Sequence, residues 1–559
     1  MLLVVAWDGA SFELTDPLMA RGELPNLAAL VQRGRRLRLR STWPPVTFPA
    51  WTSFMTAASP CRHGITDFCL RDGYELRFAN ASHRRLPTIW SQMNAAGLCT
   101  GVYGLPATYP PESLDGIQVP GFDTPLGAGA GRRLTHPPEL AQRLRTRYGR
   151  LAIEGVAQSQ IGPGWHEVAL TRMLDDVELR TRIVADLLGE QRFDVFLVHF
   201  AESDTVAHQF WQFCDPDSPR HVNRPALADA IASVYRALDS ALGRLVEAAG
   251  EDATVMLVSD HGSGGAGDRA VFWNRWLCDH RWLRFAPGST GLARGLKRAA
   301  LRFLPAAVQP TLFRAFPGAG ARLEARARLG GIDWSRTLAF SEELPYYPSI
   351  WLNLRGREPR GVVEPGDAER VLRDIGAALL EAEDPTEPGG RGLPMVERVY
   401  RREELFDGPF AERTPDLVLQ LREPGGYSYA GGSSRGGGER EAVRRLRSEE
   451  MSGSRGTSMA GSHRFDGMCV LAGAGISSGT AAGAGVPDTA TLADAGATLL
   501  ELAGLGVPEG ADGRSWMNGP GVRRPVVTGP GTDLPRTEEY DEEAEREIAE
   551  KLRALGYMD

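Results

Sequence analysis

Three short apolar runs in this chain stop where charged or metal-binding side chains begin. Leu2-Leu3-Val4-Val5-Ala6-Trp7 gives way to Asp8-Gly9. Phe193 to Phe200 is followed within a few residues by Asp204 and His208. Ala253 to Ser259 runs into Asp260-His261-Gly262. Each run is short, branched and continuous, the pattern of a buried strand. Between the second and third, Ile231, Val234, Leu238, Leu242 and Leu245 recur at helical spacing. Strand, helix, strand in that order predicts an α/β fold, a doubly wound and mainly parallel sheet flanked by helices. In such a sheet ligands gather outside the carboxyl ends of the strands. Asp8, Asp204, His208, Asp260 and His261 are then distant along the chain but neighbours in space.

Two more segments extend this set. Pro44-Pro45-Val46-Thr47-Phe48-Pro49-Ala50-Trp51 places a threonine hydroxyl between an extended, proline-rich stretch and an apolar stretch that can open a helix. A hydroxyl there faces unpaired backbone N–H groups and the positive end of a helix dipole, which suits a nucleophile attacking phosphorus. Taken alone, Thr47 reads better as an N-cap with no chemistry. Gly461-Ser462-His463-Arg464 adds a further histidine. Asp204 and His208, if helical, share a face as an i,i+4 pair, although most such pairs are ordinary surface. Together the segments offer three aspartates, three histidines and one threonine hydroxyl, the ligand inventory of a dinuclear phosphoester-cleaving centre.

Composition narrows the class. The chain has 559 residues, 42% of them hydrophobic, enough for a large buried core. A net charge of −8 gives no reason to expect nucleic-acid binding by bulk attraction. The cysteines, Cys61, Cys69, Cys99, Cys214, Cys278 and Cys469, form no CxxC pair. That argues against a thiolate zinc site and for free thiols in a reducing compartment. The opening apolar run is too short for a secretory signal and no run approaches 18 apolar residues, so a cytoplasmic location without membrane spans is expected.

The core is expected over residues 1–282 and again over 422–534. Between them, 283–330 reads as a basic helical cap, with Arg294, Lys297, Arg298, Arg302, Arg314, Arg322, Arg326 and Arg328 among apolar residues. A solvated helical surface is the simpler reading of the cap, with contact to an anionic substrate or a membrane face as the alternative. Residues 331–421 read as a small α/β subdomain. The Gly-, Ser- and Arg-rich stretch 425–460 reads as a lid loop leading into His463, and 535–559 as an acidic helical tail.

These residues resemble the alkaline phosphatase superfamily, in particular its type I phosphodiesterase/nucleotide pyrophosphatase branch. The resemblance runs from Val5-Ala6-Trp7-Asp8-Gly9 through Ser53-Phe54-Met55-Thr56, His63-Gly64-Ile65, Gly104-Leu105-Pro106-Ala107-Thr108-Tyr109-Pro110-Pro111 and Asn353-Leu354-Arg355-Gly356 to Ala554-Leu555-Gly556-Tyr557. It implies that Asp204, His208 and His463 hold one divalent metal ion. Asp8, Asp260, His261 and the Thr47 oxygen would hold a second. Nitrogen and carboxylate ligands without thiolate suit zinc, with manganese as the alternative. The implied chemistry is in-line attack by Thr47 on phosphorus, a phospho-threonine intermediate, and its release by water.

The resemblance is not uniform. Relatives often carry an asparagine shortly after the His-Gly-Ile segment, where Asp67 is followed here by Phe68. A sulfatase is rejected, because Thr47 cannot become formylglycine and Trp51 stands where those enzymes carry arginine. The expected function is a metal-dependent phosphoester hydrolase acting on a small phosphorylated substrate, with a phosphodiesterase favoured by the resemblance. The alternatives are a mutase or phosphotransferase that passes the phosphoryl group to an organic hydroxyl, and a non-catalytic binding protein on the same fold. Arg62 and Arg464 are candidates for reading a second anionic group.

Overall fold

The computed structural model describes residues 1–127, 133–155, 164–287, 328–386, 392–434, 437–451, 459–474, 476, 479–480, 489–517, 523–524 and 540–554. Its centre is a nine-stranded sheet. Leu2–Trp7 lies in the middle, flanked in parallel by Val195–Phe200 and Thr254–Val258. Thr100–Tyr103 and Gly116–Val119 continue the sheet on the Val195–Phe200 side. On the other side lie Asp466–Ala472 and Arg35–Arg40. Among the described strands of this sheet, Asp466–Ala472 runs antiparallel to both of its neighbours. The expected doubly wound, mainly parallel α/β sheet is the one observed.

Register sets the functional edge. Trp7 pairs with Phe200 and Ala6 with Val258, so three strands end on one line. Asp8 follows directly on that line. Asp260 and His261 leave it two and three residues past Val258. The helix Glu202–Cys214 starts just beyond Phe200 and presents Asp204 and His208 one turn apart.

Both faces of the sheet are covered because its strands alternate over two cores. Leu3, Val5 and Trp7 enter a cluster shared with the helices Pro25–Arg33, Trp165–Glu190 and Ala230–Ala249. Val4 and Ala6 face the helices Thr47–Thr56, Ile89–Ala95 and Leu492–Leu502.

A second sheet is built on Gly262–Val271, the strand that leaves His261. Gly461–Arg464 pairs with it antiparallel, setting His463 opposite Ser263. Ser428–Gly431 and Val443–Arg445, both from the Gly- and Arg-rich stretch, pair along the remainder of that strand. A separate antiparallel sheet of Ala339–Phe340, Ser349–Leu352, Leu417–Leu421 and Val396–Arg401 carries the helix Ala368–Leu380. Most of the basic cap expected over 283–330, residues 288–327, lies outside the described residues. Among the described residues no helix is long and apolar enough to cross a membrane. All six cysteines are free thiols.

Candidate active site

The structure brings six of the seven sequence-assigned ligands into two buried triads. Asp204, His208 and His463 form one, and Asp8, Asp260 and His261 the other. In the first, Asp204 Oδ1 lies 3.2 Å from His208 Nε2 and 3.6 Å from His463 Nε2. The two Nε2 atoms are 2.9 Å apart. His208 donates from Nδ1 to the Gly461 carbonyl at 3.1 Å, and His463 from Nδ1 to the Pro45 carbonyl at 2.6 Å. A carbonyl only accepts, so each neutral ring carries its proton on Nδ1 and aims a lone pair from Nε2 at the other. Two lone pairs and a carboxylate oxygen converge on one point, an arrangement that a cation stabilises.

The second triad repeats the logic. Asp8 Oδ1 and Asp260 Oδ2 lie 3.5 and 3.4 Å from His261 Nε2. His261 donates from Nδ1 to the Gly262 carbonyl, leaving Nε2 as a lone pair. Asp8 Oδ1, Asp260 Oδ2 and His261 Nε2 are all buried without a hydrogen-bond partner. Buried polar atoms left unmatched are costly, and three acceptors facing one another match only a positive ligand. The donor set, nitrogen and carboxylate oxygen without thiolate, fits a divalent metal ion in each triad.

The electrostatics follow from this crowding. Burial drives the Asp260 carboxyl well above the usual carboxylate range, and the Asp8 carboxylate beside it pushes the same way. Burial also raises Asp204, but His208, His463 and His261 together outweigh it and hold that carboxyl low. His463 is pushed far below the ordinary histidine value by burial and by His261 next to it. Burial lowers His208 too, yet Asp204 overcomes this and leaves it raised.

Thr47 is the first residue of the helix Thr47–Thr56. The N-cap is Val46, so Thr47 does not occupy the capping position its sequence context also allowed. Two contacts locate its turn. The Pro45 carbonyl, two residues before it, accepts from His463. Trp51, one turn after it on the same helix face, donates from Nε1 to Asp8 Oδ2 at 3.0 Å. Thr47 is thus strapped at one end to each triad. Behind the helix, the Ile65 N–H donates to His63 Nδ1, and Nε2 of that ring reaches Ser53 Oγ at 3.0 Å. Ser53 Oγ in turn lies 2.9 Å from the Pro49 carbonyl. Burial holds His63 neutral, at about 3.

Several supporting groups escaped sequence reasoning. His199 Nε2 lies 2.8 Å from Asp8 Oδ2, beside the Trp51 contact, so one oxygen of Asp8 is anchored and the other is aimed into the triad. The signal for His199 was a polar ring inside an otherwise apolar strand. Ser203 Oγ donates to the Asp8 carbonyl and Ser263 Oγ to the Gly9 carbonyl, fixing the turn after the first strand. Tyr346 stacks on His463, ring centroids 5.5 Å apart and 13° from parallel. No sequence pattern pointed to it.

Two candidates lie elsewhere. Arg464 spends its guanidinium on the Gly265, Gly426 and His463 carbonyls and on Glu423. Arg62 pairs with Asp407 and Asp512. Phe68, at the position of the relatives' asparagine, is buried against Phe48, ring centroids 4.4 Å apart.

Comparison with known proteins bears on the fold and the family. Phosphonoacetate hydrolase from Sinorhizobium meliloti 1021 is similar over 89% of this chain and 94% of its own, at 16% identity and a TM-score of 0.52, and shares the fold. Alkaline phosphatase PafA is similar at 14% identity over 93% of this chain and 98% of its own, with a TM-score of 0.49. Murine ectonucleotide pyrophosphatase/phosphodiesterase 5 is similar at 12% identity over 90% and 95%, with a TM-score of 0.45. No curated protein matches the chain in sequence. The family model for type I phosphodiesterase/nucleotide pyrophosphatase matches residues 2–457. The chain belongs to the type I phosphodiesterase/nucleotide pyrophosphatase family and is a phosphoric ester hydrolase.

Proposed function

We propose that the protein is a metal-dependent phosphodiesterase that works through a phospho-threonine intermediate on Thr47. The observation that carries this is the pair of lone-pair triads with the Thr47 turn tied to both, through Pro45 to His463 and through Trp51 to Asp8. In this reading Asp204, His208 and His463 hold one ion, while Asp8, Asp260, His261 and the Thr47 oxygen hold the other. Zinc is the assigned metal, with manganese as the alternative. When bound, such ions lower the pKa of a coordinated hydroxyl and neutralise charge on the oxygens of an in-line displacement.

The chain's own residues do the rest. Thr47 Oγ attacks phosphorus in line, its bond to phosphorus forming as the bond to the leaving alcohol breaks. The first helical turn presents its amides to the phosphoryl oxygens. Pro49 has no N–H and the Ala50 N–H is bonded to the Val46 carbonyl, so the Phe48 amide of that turn is assigned this role. His199 and Trp51 hold Asp8 in orientation, and Ser53 with His63 stiffens the turn behind the nucleophile. Water then attacks from the side the alcohol left and frees Thr47. The substrate is a small phosphorylated molecule, and the six free thiols favour the cytoplasm as its setting.

The test is hydrolysis of bis(p-nitrophenyl) phosphate and p-nitrophenyl phosphate by metal-loaded protein, with Thr47→Ala and a chelator as controls. Diester turnover lost in both controls is the expected result. Turnover that survives Thr47→Ala with metals bound would sink the covalent route. A strong monoester preference would move the assignment to a phosphatase.

A further inference from the structure

We propose that the buried Arg180–Glu202 ion pair is a positioning clamp for the helix that carries Asp204 and His208. The inference rests on reading the two triads as metal centres, and it names the residues that hold one of them in place.

Three consecutive side chains open the helix Glu202–Cys214, and each is tied to a different partner. Glu202 accepts from Arg180. Ser203 donates from Oγ to the Asp8 carbonyl at 2.6 Å. Asp204 enters the triad with His208 and His463. Successive residues of a helix point about 100° apart. Ties at 202 and 203 therefore fix the rotation of the helix about its own axis as well as its distance from the sheet. That rotation decides where Asp204 points, and His208, one turn on, moves with it. The N-cap, Ala201, makes no side-chain hydrogen bond, so the anchoring falls to the residues that follow.

The ion pair has the geometry of a fixed fork. Arg180 Nη1 lies 2.7 Å from Glu202 Oε2 and Nη2 lies 3.0 Å from Oε1, so both carboxylate oxygens are engaged. The guanidinium is itself held. Its Nε donates to the Ala152 carbonyl at 2.9 Å, and Nη2 donates to the same oxygen. Ala152 adopts a φ of +54°, a left-handed conformation that costs an alanine strain, in the turn that offers this carbonyl. Arg180 also lies over the ring of Phe200, 5.1 Å from its centroid, and Phe200 ends the strand that leads into the helix. Both partners of the ion pair are buried. Taking two charges out of water is costly, and apolar side chains of similar size hold a helix against a core about as well. What an apolar pair lacks is direction. It packs in several rotations, whereas a two-point ion pair accepts one.

Metal affinity tests the clamp apart from turnover. Metal-free full-length protein is titrated calorimetrically with zinc. Arg180→Met combined with Glu202→Leu removes both charges at once, so neither is left buried alone. This double variant is expected to keep a thermal midpoint near that of wild type. One of its two zinc affinities should fall about tenfold or more, as when a supporting contact is lost. The other should stay within about threefold, since His463 and the Asp8 triad stand on other elements. Two unchanged affinities in a variant with a wild-type midpoint overturn the proposal, because the pair would then serve the fold alone. His208→Ala shows which triad responds. In that background the Asp204 triad is already broken, and adding the double substitution should change the remaining affinity by less than about threefold. A further tenfold loss there also overturns the proposal. If the double variant does not fold, Arg180→Lys decides on the same criterion, since it keeps the charge and loses the two-point grip. A split of the two affinities without turnover of bis(p-nitrophenyl) phosphate supports the clamp and sinks the hydrolytic mechanism. Turnover at the wild-type rate with both affinities unchanged supports that mechanism and sinks the clamp.

Discussion

His261 and His463 stack face to face, ring centroids 3.8 Å apart and 22° from parallel, so a residue of one triad packs on a residue of the other. The contact follows from the register that sets His463 opposite Ser263. It makes the two centres one mechanical unit. Stripping one triad with Asp204→Ala should therefore weaken metal retention at the other, by about tenfold or more, as loss of a supporting contact does in metal sites. Metal analysis of dialysed protein checks this. A clean drop from two ions to one, with the second affinity unchanged, would show that the stack transmits nothing.

Asp8 is oriented by His199 and Trp51, both on the same carboxylate oxygen. His199→Phe keeps the ring volume and removes the hydrogen bond. It should lower kcat/KM by about 10- to 100-fold through poorer positioning of Asp8, with the fold intact. Paired steady-state kinetics and thermal unfolding separate the two effects. Retention of full activity would mean that Trp51 alone fixes the carboxylate.

The strand-end positions of Asp8 and Asp260 were legible in sequence because a buried parallel strand leaves a continuous apolar run, and these two residues interrupt those runs abruptly. The Thr47 helix was legible from its prolines and the apolar stretch behind them. What pairs with Gly262–Val271 was not, since that strand is rich in glycine and has no hydrophobic alternation to specify partners. Tyr346 meets the site through a contact 117 residues apart in sequence (346 to 463), and no local pattern encodes such a pair.

Gly9 borders both triads: its N–H donates to Asp260 Oδ1 at 3.1 Å, and its Cα faces Asp204. Its φ is +65°, and a Cβ there would lie 2.8 Å from Ser263 Oγ and 2.9 Å from Asp204 Oδ1. Gly9→Ala should cost about 1–3 kcal/mol in strain and displace Asp204 from its triad. The expected readout is reduced metal content together with a lower unfolding midpoint. Normal metal content would show that the turn can yield without moving Asp204.

Asp123 gives a pH signature. Its carboxyl is fully buried, Oδ2 has no hydrogen-bond partner, and burial pushes it up to about 7, above its unfolded range near 3.8. A raised carboxyl binds its proton more tightly in the native than in the unfolded state. Its protonated form thus stabilises the fold fully below about 4, and that contribution is lost as pH rises to about 7. Asp123→Asn should flatten stability between those limits and gain about 2 kcal/mol at pH 8. Denaturant unfolding at pH 5 and pH 8 checks it. The same slope in the variant would place the titration on another group.

The helix Glu542–Ala554 reaches back to the turn that carries Thr47, the proposed nucleophile. Ile548, Ala549 and Leu552 are buried in one cluster with Val46, Phe48 and Phe68, the residues on either side of Thr47 and the ring that packs against them. Glu547 accepts the backbone N–H groups of Leu126 and Gly127, and Tyr540 donates to the Asp123 carbonyl, so the helix is pinned as well as packed. Thr47 needs a fixed first turn for in-line attack, because small misplacements of a reacting group cost large factors in rate. Ile548→Ala opens a cavity behind that turn at a cost of about 2–4 kcal/mol. It should lower kcat while both proposed ions stay bound, since the apolar cluster that holds the helix includes none of the triad residues. Unchanged kcat in a folded variant would mean that the straps from Pro45 to His463 and from Trp51 to Asp8 suffice to hold the nucleophile.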